Sequence, residues 1–246
     1  MFGRLRHRAR SALENRWFPA MSLQRQLGPL EGCFNEWSVI SDQFNPGQAA
    51  SPDLIRIAID TISVAFESPR DFLLEHDGNP DSRTWPGEHY RLLPALCEAT
   101  NARKVVEIGT STGQSALALL TAPVVERVDT FDLIAWDDVP GTVLEATDFG
   151  PRLGQHLGDL ADADLFVEHQ GLLTDADLIF VDGPKDGHFE QVFLPKLLAL
   201  RPERQQLIVL DDTRLMTMVQ LWRDLPAPKL DLTSFGHWSG TGLLLR

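Results

Sequence analysis

The sequence predicts a doubly wound α/β domain built on a parallel sheet. Three observations point there. From about residue 90 onward, short apolar runs alternate with helical patterns. Those runs are continuously apolar, as in strands covered on both faces. The length, 246 residues, suits one such domain with an extension, or two small domains.

Before this pattern, the chain reads as helical and irregular. Ser51-Pro52 is a helix start, a capping hydroxyl followed by proline at the first helical position. Leu54, Ile55, Ile59, Ile62 and Phe66 then recur at helical spacing. The turn-forming stretch HDGNPDSRTWPGEH (76–89) reads as a linker. These readings divide the chain into a helical extension, 1–84, and a domain, 85–246. The extension has apolar helical faces and no sheet of its own, so it is expected to pack on the domain as a lid or a homodimer contact.

The domain opens with a helix from Tyr90 to Thr100. KVVEIG (104–109) is the first strand and QSALALL (114–120) opens the next helix. ERVDTFDL (126–133) and RLGQHLGD (152–159) are strands two and three, with a helix around Leu165. DLIFVD (177–182) is the fourth strand, followed by a helix near Glu190 to Leu200. QLIVLDD (206–212) is the fifth, followed by a helix from about Leu215. KLDLTS (229–234) and TGLLLR (241–246) close the sheet.

Composition narrows the function. Hydrophobic residues make up 43% of the chain, enough for a sizeable core. The formal net charge of -13 repels polyanions, so nucleic acid is not the expected partner. The two cysteines, Cys33 and Cys97, show no metal spacing and are read as reduced, in a cytoplasmic protein. No run of about 18 apolar residues predicts a membrane span. MFGRLRHRAR at the N-terminus lacks the apolar centre of a secretory signal. It reads as a solvated basic helix, with a transit peptide or membrane-surface helix as alternatives.

Doubly wound sheets bind ligands beyond the carboxyl ends of their strands. The first such loop, EIGTSTGQS (107–115), has glycines at Gly109 and Gly113 only. The dinucleotide fingerprint needs a glycine where Ser111 stands, which argues against NAD and FAD. No G-x-x-x-x-G-K-[ST] occurs, which excludes a P-loop. The fourth strand runs into DGPKDGHFE (182–190), dense in titratable groups, and the fifth ends in Asp211-Asp212.

Glu107, Gly109 and Gly113 after the first strand, with Asp132 ending the second, resemble the class I S-adenosylmethionine-dependent methyltransferases. The resemblance covers roughly Trp85 to Arg246. It implies a Rossmann-like seven-stranded sheet in the order 3-2-1-4-5-7-6, the last strand antiparallel. It implies that the glycine turn, with Thr110, Ser111 and Ser115, receives the amino-acid part of the cofactor. Glu107 would work through the polar network around that part. Asp132 would accept from both ribose hydroxyls. Gly158 and Asp159 match the family's loop near the adenine.

Within that family, Asp182, Lys185, Asp186, Asp211 and Asp212 resemble the D-x-x-K-D and D-[ND] motifs of catechol and caffeoyl-coenzyme-A O-methyltransferases. By this resemblance, Asp182, Asp211 and Asp212 hold Mg²⁺, with Mn²⁺ or Ca²⁺ as substitutes. Lys185 takes the hydroxyl proton and needs a lowered pKa to do so. Gly183-Pro184, Asp212 and HWSGTGL (237–243) depart from the catechol enzymes, so the broader set acting on natural-product sugars or phenolics also fits. His188 is a second base or pocket residue, or else a helix-cap or surface histidine. His237 and Trp238 are a substrate wall or packed aromatics. Trp136 is an adenine cover, and Glu88, His89 and Tyr90 belong to a lid over the cofactor.

The expected activity is transfer of a methyl group to a hydroxyl of a small molecule with Mg²⁺ assistance. A metal-independent methyltransferase and a non-catalytic, S-adenosylmethionine-binding partner subunit are the alternatives. The second would be signalled by a broken strand-four or strand-five motif, and neither motif is broken. Base N-methylation is disfavoured, since DGPK stands where those enzymes carry [ND]-P-P-[YF].

Overall fold

A computed structural model of the chain describes residues 51–67, 89–237 and 239–246. The basic N-terminus, Cys33, Glu88, Trp238 and most of the 76–89 linker lie outside the described residues. Helix α1 spans Pro52–Glu67 and helix α2 spans His89–Thr100. Strand β1 (Lys104–Ile108) leads into α3 (Gln114–Leu120), and β2 (Arg127–Asp132) into β3 (Leu153–Leu157). Then follow α4 (Ala163–Asp175), β4 (Leu178–Val181), α5 (Phe189–Ala199), β5 (Leu207–Asp211) and α6 (Met216–Asp224). Strands β6 (Lys229–Asp231) and β7 (Thr241–Leu245) close the chain.

Among the described residues, the strands form one sheet in the order β3-β2-β1-β4-β5-β7-β6. The first five are parallel to one another, and β7 runs antiparallel to both β5 and β6. The expected order and the antiparallel last strand are therefore present.

Strand periodicity divides the core into two layers. Val105, Val128, Leu178, Phe180, Leu207 and Val209 face one side, packed with residues of α1, α2 and α3. Val106, Phe131, Ile179, Val181, Ile208 and Leu210 face the other, against α4, α5 and α6. Both faces are covered, which is why these strands read as unbroken apolar runs.

Most elements lie within one or two residues of the expected bounds, and two of the shifts bear on the site. The strand expected over 229–234 stops at Asp231, because the Asp231 carboxylate accepts from the Thr233 backbone N–H (2.9 Å) and turns the chain into a short 3₁₀ segment, Thr233–Phe235. Helix α2 begins one residue earlier than expected, at His89, which brings that histidine into the fold.

The start of α1 is as the sequence predicts. Ser51 Oγ accepts from the Leu54 backbone N–H at 3.2 Å. Leu54, Ala58 and Thr61 are buried, and Leu54 and Ala58 join the same core layer as α2. Arg91 of α2 donates to the Ala65 carbonyl at 2.6 Å. Leu54 is fully buried, so Leu54→Ala is expected to cost about 2–5 kcal/mol of stability. Urea unfolding checks this, and a cost near zero would place α1 outside the cooperative core.

Candidate active site

Parallel register sets the site. Ile108 pairs with Val181 and Val181 with Leu210, so β1, β4 and β5 end level with one another. Adjacent strands lie about 4.8 Å apart, so the residues that follow are held within contact range. Gly109 follows β1, Asp182 follows β4, and Asp211 ends β5.

The turn after β1 is tight. Gly109 has φ +104°, and a Cβ there would sit 2.1 Å from the Asp182 carbonyl oxygen. Gly113 has φ +86°, and its Cβ would strike Leu144 Cγ at 2.2 Å. Only glycine fits both places. The turn leaves a cradle into which backbone, not side chain, faces.

Glu107 is fully buried at the end of β1, and Thr130 Oγ1 donates to its Oε2 at 2.6 Å. Burial pushes its pKa up to about 8, against the opposing hydroxyls of Ser115 and Thr130. Thr110 is buried and shares a 2.8 Å hydrogen bond with the Thr130 hydroxyl. Asp132 is held in place by backbone. The Ser111 N–H donates to Oδ2 (2.8 Å), and the N–H groups of Leu133 (2.7 Å) and Ile134 (3.2 Å) donate to Oδ1. Oδ2, with a single donor, retains acceptor capacity. Asp159 Oδ1 accepts from the Ala161 N–H at 2.7 Å, which fixes the turn after Gly158.

The carboxylates of Asp182, Asp211 and Asp212 converge, with ligand oxygens all within 4.8 Å of one another. Lys185 Nζ is ion-paired to Asp182 Oδ1, and lies 3.2 Å from Asp212 Oδ2. His237 Nδ1 lies 3.3 Å from Asp211 Oδ2 and 3.7 Å from Asp212 Oδ1. Burial pushes Asp182 up, and the carboxylates of Asp211 and Asp212 add to the shift against Lys185. Burial would also raise Asp212, but His237, Lys185 and Ser239 outweigh it and hold Asp212 well below the carboxylate range. His237 is pushed up to about 10, because Asp211 and Asp212 overcome its desolvation.

Lys185 departs from the sequence expectation. Burial pulls its pKa down, but three carboxylates outweigh burial and the net shift is upward. The sequence expectation of a lowered pKa assumes a cation nearby; what surrounds the ammonium here is anionic. The residue is held in place by its own backbone, at φ +52°. Its N–H donates to Glu190 Oε1 (3.0 Å), and its carbonyl accepts from Thr217 Oγ1 (2.8 Å). Asp186 serves the fold rather than the cluster. Its Oδ1 accepts from the N–H groups of His188 (2.8 Å) and Phe189 (3.0 Å) at the start of α5. His188 itself is exposed and makes no side-chain cap. Trp136 packs on Phe149, with ring centroids 5.1 Å apart, and against the core.

Two cavities meet at this edge. One, of about 610 Å³, is bounded by Asp132, Gly158 and Asp159 at one end, passes Gly109 and Ser111, and reaches Asp182, Lys185, His188 and Asp212 at the other. The second, of about 280 Å³, shares Gly109, Ser111, Asp182 and Asp212 and adds His89, Tyr90, Thr110, Ser115, Asp211 and His237. The predicted cofactor residues and the predicted metal residues thus open on common space, with Glu107 and Gly113 behind the wall.

No family model and no curated protein matches the sequence. Solved structures do match the fold. A methyltransferase from Podospora anserina, PaMTH1, solved with SAH bound, is similar at 18% identity over 79% of this chain and 95% of its own, with a TM-score of 0.50. An O-methyltransferase from Bacillus cereus in complex with SAH is similar at 19% identity over 78% of this chain and 98% of its own, also with a TM-score of 0.50. This is the Rossmann-like methyltransferase fold.

Sequence reading missed the convergence of His89 and His237 on Asp211. A signal for it existed. Antiparallel β7 pairs Thr241 with Asp211, so the turn just before β7 must return to the end of β5.

Glu107 makes a pH-dependent contribution whose sign is fixed. Its folded pKa, about 8, lies above the ordinary glutamate value of 4.5, so the native state holds a proton that the unfolded chain releases. That stability is fully present below the unfolded value and is lost as pH rises through about 8. Glu107→Gln keeps an acceptor for Thr130 and cannot ionise. Its melting temperature is expected to fall less than the parent's between about pH 6 and 9. Parallel curves would show that Glu107 ionises without cost.

Proposed function

We propose that the chain is an S-adenosylmethionine-dependent O-methyltransferase acting on a hydroxyl of a small molecule, a natural-product sugar or a phenolic. The observation that carries this reading is the shared cavity. The Asp132 carboxylate and the glycine cradle open on the same space as Asp182, Lys185 and Asp212. A cofactor lying along β1 and an acceptor lying over β4 and β5 would meet above Gly109. The Podospora and Bacillus proteins, which share the fold, were solved with SAH bound, which supports the cofactor of this reading.

The cradle suits the cofactor, since the space a Cβ at Gly109 would need is already filled by the Asp182 carbonyl and backbone can approach closely. When bound, the cofactor supplies an electrophilic methyl carbon on a sulfonium. Asp132 would accept from the ribose hydroxyls, with Gly158 and Asp159 beside the adenine. Thr110, Ser111 and Ser115 would bound the amino-acid part over Glu107. The Asp182–Lys185 pair would take up the proton that the acceptor hydroxyl loses. The acceptor would enter past His188 and His237. Residues 1–84 would serve the domain of residues 85–246 as a helical extension, a role supported by the burial of Leu54 and Ala58.

A divalent cation fits the carboxylate cluster. The donors are all oxygen, as a hard ion such as Mg²⁺ requires. Asp211 Oδ1 is buried and has no hydrogen-bond partner among the described residues. Asp182, Asp211 and Asp212 would hold the ion, which would lower the pKa of a coordinated hydroxyl. Lys185 becomes a base only once another cation takes up the charge of those carboxylates. A metal-independent reading has its own support: Lys185 and His237 already sit against the cluster as positive groups.

Two measurements test the proposal. In calorimetry with S-adenosylhomocysteine, Asp132→Ala is expected to weaken binding by about 1–3 kcal/mol. Unchanged affinity would remove Asp132 from the site. In a methyl-transfer assay over a panel of hydroxylated acceptors, Lys185→Ala is expected to lower the rate by roughly a hundred- to ten-thousand-fold. EDTA is expected to stop turnover and Mg²⁺ to restore it. Turnover that EDTA leaves untouched selects the metal-independent reading.

A further inference from the structure

His89 opens α2, and His237 lies in the turn before β7. Their ring centroids are 4.8 Å apart, and Asp211 stands against both. Asp211 Oδ1 is 3.8 Å from His89 Nδ1, and its Oδ2 is 3.3 Å from His237 Nδ1. One ligand atom from each residue lies within 4.8 Å of the others. The side chains of His89 and Asp211 are only 8% and 4% exposed. Neither ring nitrogen of His89, nor Asp211 Oδ1, has a hydrogen-bond partner among the described residues. Buried polar atoms are nearly always partnered, so three such atoms beside one another need an explanation.

We propose that His89, Asp211 and His237 form a second cation site, selective for a borderline divalent transition ion such as Zn²⁺ or Co²⁺. Two imidazoles and one carboxylate favour such ions over Mg²⁺ or Ca²⁺, which prefer oxygen. Ligands bound tetrahedrally at about 2.0–2.1 Å from an ion stand roughly 3.3 Å apart, so the observed separations need little closure. His89 would ligate through a neutral imidazole nitrogen, and both of its ring nitrogens are buried without a hydrogen-bond partner among the described residues. His237 Nδ1 also meets Ser239 Oγ at 2.7 Å. That hydroxyl has Asp212 as a second partner, so it can turn when Nδ1 is taken. Ligation through His237 Nδ1 would require that nitrogen without a proton, so ion binding would be favoured as pH rises.

The site opens on the smaller cavity, which leaves coordination positions for water or an acceptor oxygen. It shares only Asp211 with the all-oxygen cluster, and its existence does not depend on methyl transfer.

The full-length protein, stripped with a chelator, is titrated with Co²⁺ and followed by visible d–d absorption. One tight Co²⁺ per chain is expected, with the absorption of nitrogen ligation. Asp182→Asn should keep it, because that residue belongs to the other cluster alone. His89→Gln and His237→Gln should each weaken it by about a hundredfold or more. On the unaltered protein, proton NMR should show two paramagnetically shifted, exchangeable imidazole N–H signals. The proposal is overturned if Asp182→Asn abolishes the absorption while His89→Gln keeps it, or if no shifted imidazole signal is found. Neither readout uses methyl transfer, so failure here and failure of the proposed activity remain separable.

Discussion

The convergence of three carboxylates at the level ends of β4 and β5 is the constraint on which the rest of the site depends. Like charges about 4 Å apart repel by roughly 4 kcal/mol at an effective dielectric near 20, and burial strengthens this. A fold that places Asp182, Asp211 and Asp212 together must bring positive charge to them. Lys185 and His237 do so from opposite sides, one from the loop after β4 and one from the turn before β7. Their raised pKa values are the other face of the same electrostatics. A divalent ion entering the cluster would compete with both, freeing each to act differently.

Local sequence serves this arrangement. Lys185 and Asp212 both adopt positive φ without being glycine, at +52° and +61°. Such backbone is costly and persists only where its surroundings determine it. For Lys185 those surroundings are the Glu190 carboxylate and the Thr217 hydroxyl. The glycine turn after β1 meets the same edge from the other side, because Gly109 lies against the Asp182 carbonyl. Glycine turn and carboxylate cluster are therefore mechanically joined at one backbone contact.

The sheet was legible in the sequence because continuous apolar strands and glycine turns are local signals. The order of strands came from resemblance, and the observed topology agrees with it. The acids at the strand ends were legible for the same reason: in a parallel sheet, chain position at the carboxyl end implies place. Contacts that depend on tertiary closure were not. His89 reaches Asp211 through the packing of α2, and His237 through the antiparallel return of β7. The state of Lys185 was hidden too, since it follows from the sum of three charges rather than from any neighbour in sequence. Asp186, grouped with the chemical residues by its motif, proves to cap α5.

If one edge of the sheet holds cofactor and cation side by side, both should be visible in a single crystal. Anomalous diffraction from a crystal soaked with S-adenosylhomocysteine and Mn²⁺ tests this most directly. The predicted result is ribose density on Asp132 and a manganese peak bounded by Asp182, Asp211 and Asp212, with Lys185 Nζ displaced from Asp182. Cofactor density away from Asp132, or a cluster that stays closed on Lys185 with no metal peak at saturating Mn²⁺, would contradict it.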